Sequence, residues 1–351
     1  MMAKNSKIQW TTHTFNPWRG CTKVSAGCAN CYAETQSKRN PGTLGVWGPN
    51  GSRVVASESM WREPLKWNRQ ASHEGQKQCP LSFPHQPHDW CNGNPEGKPF
   101  ERHRVFCASL ADVFEVDSTI PAAARSIVHE ARLRLLTIIS QTPHLDWLLL
   151  TKRPQHVLEI LDRCVRFVVC PHEAGSTLAE RWLNVGPPAN VWIGTSVEDQ
   201  AAADERMPHL LKIPAKVRFL SCEPLLGPVD LKLYLSEGVP TDAEPFRERA
   251  DLLHWIIVGG ESGPNARVCN VEWIRDIVRQ CKEAGVPVFV KQLGSRPRLM
   301  FSGPDWKLID WPRGTIYDTA ADGLTLRLKD SKGGDPDEWP EDLRVREVPI
   351  V

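Results

Sequence analysis

The chain has 351 residues, with 43 Lys and Arg against 42 Asp and Glu and a formal net charge of +1. This length allows one large barrel-like domain or two ordinary domains, and the balanced charge excludes any argument for nucleic-acid binding from net charge. No run of about eighteen apolar residues is present, and the N-terminal MMAKNSKIQW lacks the apolar segment of a secretory signal. We therefore expect a cytoplasmic protein without a membrane partner.

Short apolar runs alternate with helical patterns along most of the chain. Strands are predicted in 13–20, 104–114, 146–154, 190–199, 215–227, 253–263 and 286–294, and helices in 120–141, 154–164, 200–213 and 271–285. Parallel strands need crossover connections, so this alternation predicts a parallel α/β sheet. The number of strands favours a partial or full (β/α) barrel of the TIM type over the alternative, a doubly wound open sheet.

Three stretches interrupt the alternation and are predicted to be loop insertions, namely 70–103, 164–190 and 232–251. Beyond residue 295 the periodicity fades into a tail rich in Pro, Asp and Trp. We therefore expect a barrel domain in residues 1–295 and, in residues 296–351, a C-terminal extension that packs on the barrel as a strap.

Three cysteines, Cys21, Cys28 and Cys31, stand in C-x6-C-x2-C spacing. Cytosolic thiols stay reduced, so clustered cysteines indicate metal or redox chemistry rather than disulfides. A structural zinc ion normally takes four protein ligands, whereas three thiolates on a four-iron cluster leave one iron open to another ligand. A zinc site completed by a distant residue and unliganded core cysteines are the alternatives. Cysteines in apolar runs are expected in the core: Cys107, Cys222 and Cys281.

Polar residues follow almost every predicted strand, and the active sites of barrels lie at that end. With Tyr32, which follows the cysteines, the candidate ligand-binding residues are Ser109, Asp112, Lys152, Ser196, Glu198, Glu223, Gly259, Gly260, Glu261 and Lys291. Each alone is as readily explained by solvation or a salt bridge, but the set favours a polar small-molecule pocket. The turn GGESG is also suited to presenting backbone amides to an anion.

A second candidate metal site lies in the first insertion. Its potential ligands, in C-x5-H-x2-H-x2-C spacing, are Cys79, His85, His88 and Cys91. These ligand types are compatible with tetrahedral zinc, although the prolines between them fit a disordered loop as well. A weaker version of the same pattern comprises Cys164, Cys170 and His172.

Several segments together resemble a phage and prophage three-cysteine-motif family related to radical S-adenosylmethionine (SAM) proteins such as spore photoproduct lyase. They are IQWTTHTFNPWRGCTKVSAGCANCYAE, WREPLKWNR, RVFCASLADVFE, LLLTKRP, WIGTSVED, RFLSCEPLLG, WIIVGGESGPNAR, VFVKQLG and DEWPEDLRVRE. The resemblance implies a [4Fe-4S] cluster on Cys21, Cys28 and Cys31, with SAM chelating the fourth iron. The first gap is three residues longer than the superfamily's usual C-x3-C-x2-C, and Asn30 replaces the usual aromatic residue.

The resemblance also implies an activity. The cluster would cleave SAM to a 5′-deoxyadenosyl radical, which abstracts hydrogen from a substrate, by analogy a nucleobase or nucleotide in phage DNA modification or repair. An electron donor such as flavodoxin or ferredoxin, and a bacterial or phage-infected host cytosol, follow from the same resemblance. Two alternatives stay open: a non-catalytic iron–sulfur or zinc protein that binds nucleic acid or a protein partner, and a metal-independent barrel enzyme that uses the strand-end carboxylates.

Overall fold

The computed structural model describes residues 3–4, 6, 8–78, 102–168, 171–235, 252–300, 311–312, 315–320 and 323–350. Its strands are β1 (Ala3–Lys4), β2 (His13–Phe15), β3 (Trp18–Arg19), β4 (Val54–Val55), β5 (His103–Cys107), β6 (Leu145–Thr151), β7 (Val191–Ser196), β8 (Val217–Cys222), β9 (Trp255–Gly259), β10 (Cys269–Asn270), β11 (Val288–Gln292), β12 (Pro297–Met300), β13 (Ile316–Ala320) and β14 (Gly323–Arg327). Its α-helices are α1 (Tyr32–Arg39), α2 (Pro41–Leu44), α3 (Glu58–Trp61), α4 (Glu63–Gln78), α5 (Arg125–Ser140), α6 (Val157–Arg166), α7 (Glu173–Asn184), α8 (Gln200–Lys212), α9 (Lys232–Leu235) and α10 (Val271–Ala284).

The central sheet has the strand order β1-β2-β5-β6-β7-β8-β9-β11. Strand β1 pairs antiparallel with β2, and every later neighbour pair is parallel. The seven parallel strands follow chain order without the reversal that a doubly wound sheet requires. The fold is therefore a curled half-barrel, which confirms the predicted partial barrel and excludes the open-sheet alternative.

The two faces of this sheet bury different side chains. Helices α5, α6 and α10 contribute to the outer core, for example through Leu135, Ile160 and Ile277. The inner face carries a separate cluster without any helical residue, made of Trp10, Phe106, Leu148, Trp192, Val217, Phe219, Trp255, Ile257 and Phe289. Aromatic side chains thus fill the inside of the half-barrel.

Farther along the same strands the inner face becomes polar. Side chains alternate between the faces of a strand, so residues two apart lie on one face. The inner face therefore continues from the aromatic cluster to residues at the carboxyl edge of the sheet, namely Lys152, Ser196, Ser221, Glu223, Gly259 and Lys291. This alternation brings several of the predicted strand-end residues to one rim.

The stretch 164–190 differs from the loop insertion predicted for it. It contains the end of α6 and the whole of α7, which packs on α5. A Cβ atom on Gly175 would lie 2.2 Å from the carbonyl oxygen of Leu133, so glycine permits this close approach. Trp182 is buried and donates its Nε1 hydrogen to the Pro214 carbonyl at 2.7 Å. Most of the Pro and Gly residues that suggested a loop flank the helix, whereas Gly175 lies inside it.

The other two predicted insertions lie largely outside the described residues. In the first, α4 continues to Gln78 and β5 begins at His103, and the proposed zinc ligands Cys79, His85, His88 and Cys91 lie in the undescribed part. In the third, α9 ends at Leu235, and residues 236–251 are not described.

The C-terminal region contains strands that the sequence did not predict. They form a small sheet of order β10-β12-β14-β13, in which β10 comes from the connection between β9 and α10. The chain then runs along β11, where Val290 donates to the Val345 carbonyl at 2.9 Å and Glu347 donates to the Val288 carbonyl at 3.0 Å. Across the parts of the chain described, no helix has the length and apolarity needed to span a membrane.

Candidate functional site

The cysteine loop, residues 20–31, leaves β3 and leads into α1 at the carboxyl edge of the half-barrel. Cys21, Cys28 and Cys31 are all free thiols and are all half-buried. By contrast, Cys107, Cys222 and Cys281 are fully buried in the outer core, as their apolar surroundings predicted. The three motif cysteines are thus accessible thiols on one segment.

The start of the cysteine loop is held by a buried ion pair. Arg53 and Glu115 have fully buried side chains, and Arg53 Nη2 lies 2.7 Å from Glu115 Oε1. The carboxylate accepts the backbone hydrogen of Thr22 at 3.0 Å, and Arg53 Nη2 donates to the Thr22 hydroxyl at 2.9 Å. The residue after Cys21 is therefore fixed from both sides.

Asp112 orients a second cation toward the same cysteine. Its carboxylate accepts hydrogen bonds from the Thr151 hydroxyl at 2.7 Å, the Lys152 backbone at 3.1 Å and Arg153 Nη1 at 2.9 Å. Arg153 in turn donates to the Thr22 carbonyl at 2.7 Å, and its Nη1 lies 3.9 Å from Cys21 Sγ. The structure thus places the predicted ligand-binding residue Asp112 in support of the cysteine loop.

Glu198 holds the middle of the loop. It forms an ion pair of 2.7 Å with Arg206, and each side chain is 1% exposed. Its other oxygen accepts a hydrogen bond from Ser25, and a Cβ atom on Gly27 would lie 2.2 Å from it. Although burial opposes ionisation, the charges of Lys152 and Arg206 lower the pKa of Glu198. An ionised, buried carboxylate therefore occupies the space that any larger residue at position 27 would need.

Glu261 holds the end of the loop in a similar way. Arg267 makes two side-chain hydrogen bonds to it, of 2.9 and 2.6 Å, and Asn30 donates to the same carboxylate at 3.0 Å. Arg267 also donates to the Ala26 carbonyl at 2.9 Å. Burial opposes ionisation here too, but the hydrogen bonds from Arg267 lower the pKa of Glu261. Carboxylates from the ends of β7 and β9 therefore fasten the loop to the sheet.

Two of the three thiols, those of Cys21 and Cys31, are influenced by the charges of adjacent cations at the end of β6. Burial raises the pKa of Cys21 to about 12, with the charges of Glu115 and Asp112 adding to it and Arg153 opposing it. Burial also raises the pKa of Cys31, while the backbone hydrogen bonds from Glu34 and Ala33 and, to a smaller extent, the charge of Lys152 lower it. A metal-binding cysteine must lose its proton, and Arg153 and Lys152 favour that loss.

The remaining rim residues fall into two groups. On one side, the Tyr32 hydroxyl donates to the Ser109 carbonyl at 2.6 Å, and Asn16 bonds the Ser109 hydroxyl at 3.1 Å. On the other, Lys291 forms an ion pair of 2.8 Å with Glu223. Lys152 lies half-buried between them, and no hydrogen bond or ion pair of its ammonium group is found with the described residues.

The glycine turn after β9 packs against the chain that follows β11. A Cβ atom on Gly260 would lie 2.3 Å from the Leu293 carbonyl oxygen, so glycine is required by this approach. The Gly260 backbone hydrogen goes to the Gln292 carbonyl at 3.0 Å, and that of Gly263 goes to the Ser295 hydroxyl at 3.0 Å. Both backbone amides therefore donate hydrogen bonds within the protein, which leaves neither of them for an anion.

The donor set of the cysteine loop fits an iron–sulfur cluster in its chemistry. Thiolates are the usual ligands of such clusters. The three thiols form no disulfide bond, Arg153 lies beside Cys21, and the charge of Lys152 acts on Cys31. In the present geometry no three His, Cys, Asp or Glu side chains of the described residues, these three cysteines included, are grouped so as to hold a metal ion. Cys164, from the weaker metal pattern, is fully buried in the core, and its predicted co-ligand Cys170 lies outside the described residues.

Sequence reasoning missed the partners that make these anchors. The overlooked residues are Asn16, Ser25, Gly27, Arg53, Arg206 and Arg267. A signal was present for two of them, since each of two strand-end carboxylates is followed by an arginine six or eight residues later. No local pattern marks Arg53, because its partner lies 62 residues away.

Comparisons with known proteins give one family and two weak structural similarities. Spore photoproduct lyase complexed with dinucleoside spore photoproduct is 11% identical, with a TM-score of 0.37 over 93% of this chain and 71% of that chain. A mutant of spore photoproduct lyase with bound AdoMet and dinucleoside spore photoproduct is also 11% identical, with a TM-score of 0.35 over 91% and 69%. No curated protein matches the sequence significantly. A family model matches residues 5–319, and the chain therefore belongs to the family described as Protein of unknown function (DUF5131).

Proposed function

We propose that this protein is a radical SAM enzyme whose [4Fe-4S] cluster is held by Cys21, Cys28 and Cys31. The observation that carries the proposal is the set of three free, half-buried thiols on one loop, anchored at the carboxyl edge of a half-barrel. When bound, such a cluster supplies one electron to SAM, whose sulfonium carbon–sulfur bond breaks to give methionine and a 5′-deoxyadenosyl radical that takes a hydrogen atom from the substrate.

The surroundings of the loop support this proposal electrostatically. Arg153 Nη1 lies 3.9 Å from Cys21 Sγ, and the Lys152 charge acts on Cys31. Cations beside the sulfurs favour thiolates and reduce the cost of placing negative charge in a half-buried site. The Lys152 ammonium makes no hydrogen bond or ion pair with the described residues, and this cation at the rim would suit the carboxylate of SAM.

The inner face of the half-barrel suits the exclusion of water from a reactive intermediate. Its amino end is closed by packed aromatic side chains, including Trp192, Phe219 and Trp255. Its carboxyl edge carries the polar residues Ser196, Glu223 and Lys291, which are placed to orient a small polar ligand. A polar rim over an apolar floor is the usual composition of small-molecule sites.

We extend the proposal to a nucleobase or nucleotide substrate in DNA modification or repair, with reduction by a flavodoxin or ferredoxin. The sequence resemblance to radical SAM proteins that act on DNA supports this extension. Its test is a comparison of nucleosides from DNA incubated with and without the reconstituted protein, SAM and reductant. A new or missing nucleoside supports the extension, and unchanged DNA with rapid SAM cleavage contradicts it.

The proposal is tested by anaerobic reconstitution with iron and sulfide. We expect about four irons per chain, and release of 5′-deoxyadenosine after addition of SAM and dithionite. Cys28→Ala should abolish both, whereas Cys281→Ala, which changes a fully buried core cysteine, should retain both. Stoichiometric zinc without iron uptake would contradict the proposal and favour a zinc protein.

A further inference from the structure

The middle of the cysteine loop lacks the contacts that usually order a protein segment. No residue between Thr22 and Asn30 belongs to the buried core. Two backbone hydrogen bonds within this stretch form one short turn, from Cys28 to the Ser25 carbonyl and from Ala29 to the Ala26 carbonyl. Burial of apolar surface therefore does not hold this stretch in place.

Its contacts are instead polar, and they converge from two directions. Ser25 donates to Glu198, which Arg206 neutralises in the interior. Asn30 donates to Glu261, which Arg267 neutralises at the rim. Hydrogen bonds to charged groups are about twice as strong as neutral ones. These two contacts therefore restrain the loop around Cys28, together with the bond from Arg267 to the Ala26 carbonyl at 2.9 Å and the bond from Asn30 to the Asn265 carbonyl at 2.8 Å.

The acceptors are themselves rigid. Glu198 and Arg206 are 1% exposed, and Arg206 also donates to the Ser196 carbonyl at 2.7 Å. Glu261 accepts the backbone hydrogen of Arg267 at 2.8 Å in addition to its side-chain bonds. The loop is thus fastened to groups whose positions the sheet fixes.

We propose that Ser25 and Asn30 are positioning residues that hold the cysteine loop at the carboxyl edge of the half-barrel through two latches, the hydrogen bonds from Ser25 to Glu198 and from Asn30 to Glu261. This inference goes beyond the proposed function, because it concerns the loop before any metal is bound. In this inference the two side chains assist metal uptake without being metal ligands themselves.

The test is hydrogen–deuterium exchange of the full-length, metal-free protein, read from peptides that cover residues 22–30. Ser25→Ala and Asn30→Ala each remove one latch from the loop side and leave both ion pairs intact. We expect exchange in these peptides to rise about tenfold in either variant, with an unchanged thermal midpoint and unchanged exchange in β6 and β7. Ser25→Thr, which keeps the hydroxyl, should restore slow exchange.

Lys23→Ala is the matched control. Lys23 also bonds the loop, at 3.3 Å from the Ala29 carbonyl, but its side chain is 46% exposed. Exposed charges contribute little, so we expect less than a twofold change. Wild-type exchange in both latch variants would overturn the proposal, and so would faster exchange spread evenly over the whole protein.

Iron uptake separates this inference from the proposed function. Slower iron incorporation in the latch variants, with the wild-type final stoichiometry, supports positioning of the loop. If the wild-type protein takes up no iron, the proposed function fails, while the exchange data still decide the latch. If iron enters normally and exchange is unaffected, the latch fails and the proposed function stands.

Discussion

Replacement of Gly27 by alanine should destabilise the protein through a single added methyl group. The new Cβ atom would lie 2.2 Å from Oε1 of Glu198 and 2.5 Å from its Cγ. Carbon and oxygen atoms do not approach this closely, so either the loop or the carboxylate must move. A shift of Glu198 strains its 2.7 Å ion pair with Arg206 inside the protein, and a shift of the loop breaks the bond from Ser25.

The magnitude follows from these two contacts. Breaking a buried ion pair costs about 3–5 kcal/mol, and losing a hydrogen bond to a charged group costs about 1.5–3 kcal/mol. We therefore expect Gly27→Ala to lower the free energy of unfolding by about 2–5 kcal/mol, measured by urea denaturation. Gly42→Ala is the control, because a Cβ atom on Gly42, in α2, meets nothing within 4 Å. That variant should be neutral or more stable by about 0.5–1 kcal/mol.

A double-mutant cycle assigns the cost to Glu198. In a Glu198→Ala background the clashing atoms are absent, so the added methyl group at position 27 should cost almost nothing. If Gly27→Ala and Gly42→Ala have equal stability, or if the cost persists in the Glu198→Ala background, the close approach of Glu198 to the loop is refuted.

Three further predictions concern the anchors, the rim and the helices. Arg53→Met leaves the fully buried Glu115 without its ion-pair partner and should lower the free energy of unfolding, measured by urea denaturation, by about 3–5 kcal/mol. The double variant Arg53→Met with Glu115→Leu should recover most of this loss. If the losses of the two single variants simply add in the double variant, the ion pair does not contribute as described. Lys152→Ala should lower the affinity of the reconstituted protein for SAM, measured by equilibrium dialysis, about tenfold, because one contact with a carboxylate contributes about 1.4 kcal/mol. An unchanged affinity would show that Lys152 does not bind SAM. Burial lowers the pKa of His129, so the unfolded chain binds a proton at this imidazole more readily than the folded protein does. Stability should therefore fall as the pH drops below about 6.5. His129→Gln should reduce the fall in thermal midpoint between pH 7.5 and pH 5.5, and an equal fall in both proteins would show that His129 is not its cause.

The half-barrel was predictable because its strands are short apolar runs with a regular alternation. Strands such as β6 and β8 are buried on both faces, and this burial demands the continuous apolar residues from which they were recognised. Helix α7 was missed because Trp182 is the one large side chain among its four buried residues, and because Pro and Gly residues flank it. The C-terminal strands were missed because their sequences lack a run of apolar residues.

The candidate site was predictable in its cysteines but not in its supports. The spacing of Cys21, Cys28 and Cys31 is local, so it is visible in the sequence. The roles of Asp112, Glu198 and Glu261 depend on arginines and loop residues that only the folded chain brings to them. A polar residue that follows a strand gives the same sequence pattern whether its side chain binds a ligand or holds a neighbouring loop. The contacts of the side chain in the folded protein distinguish the two roles.

The most direct measurement of the central claim is the electron paramagnetic resonance spectrum of the dithionite-reduced, reconstituted protein before and after addition of SAM. Three cysteine ligands leave one iron of a four-iron cluster open, so SAM should change the g values of the cluster signal in the wild-type protein. Cys28→Ala, with a ligand removed, should show no such signal. A cluster signal that SAM leaves unchanged, or a protein that binds only zinc, would contradict the account.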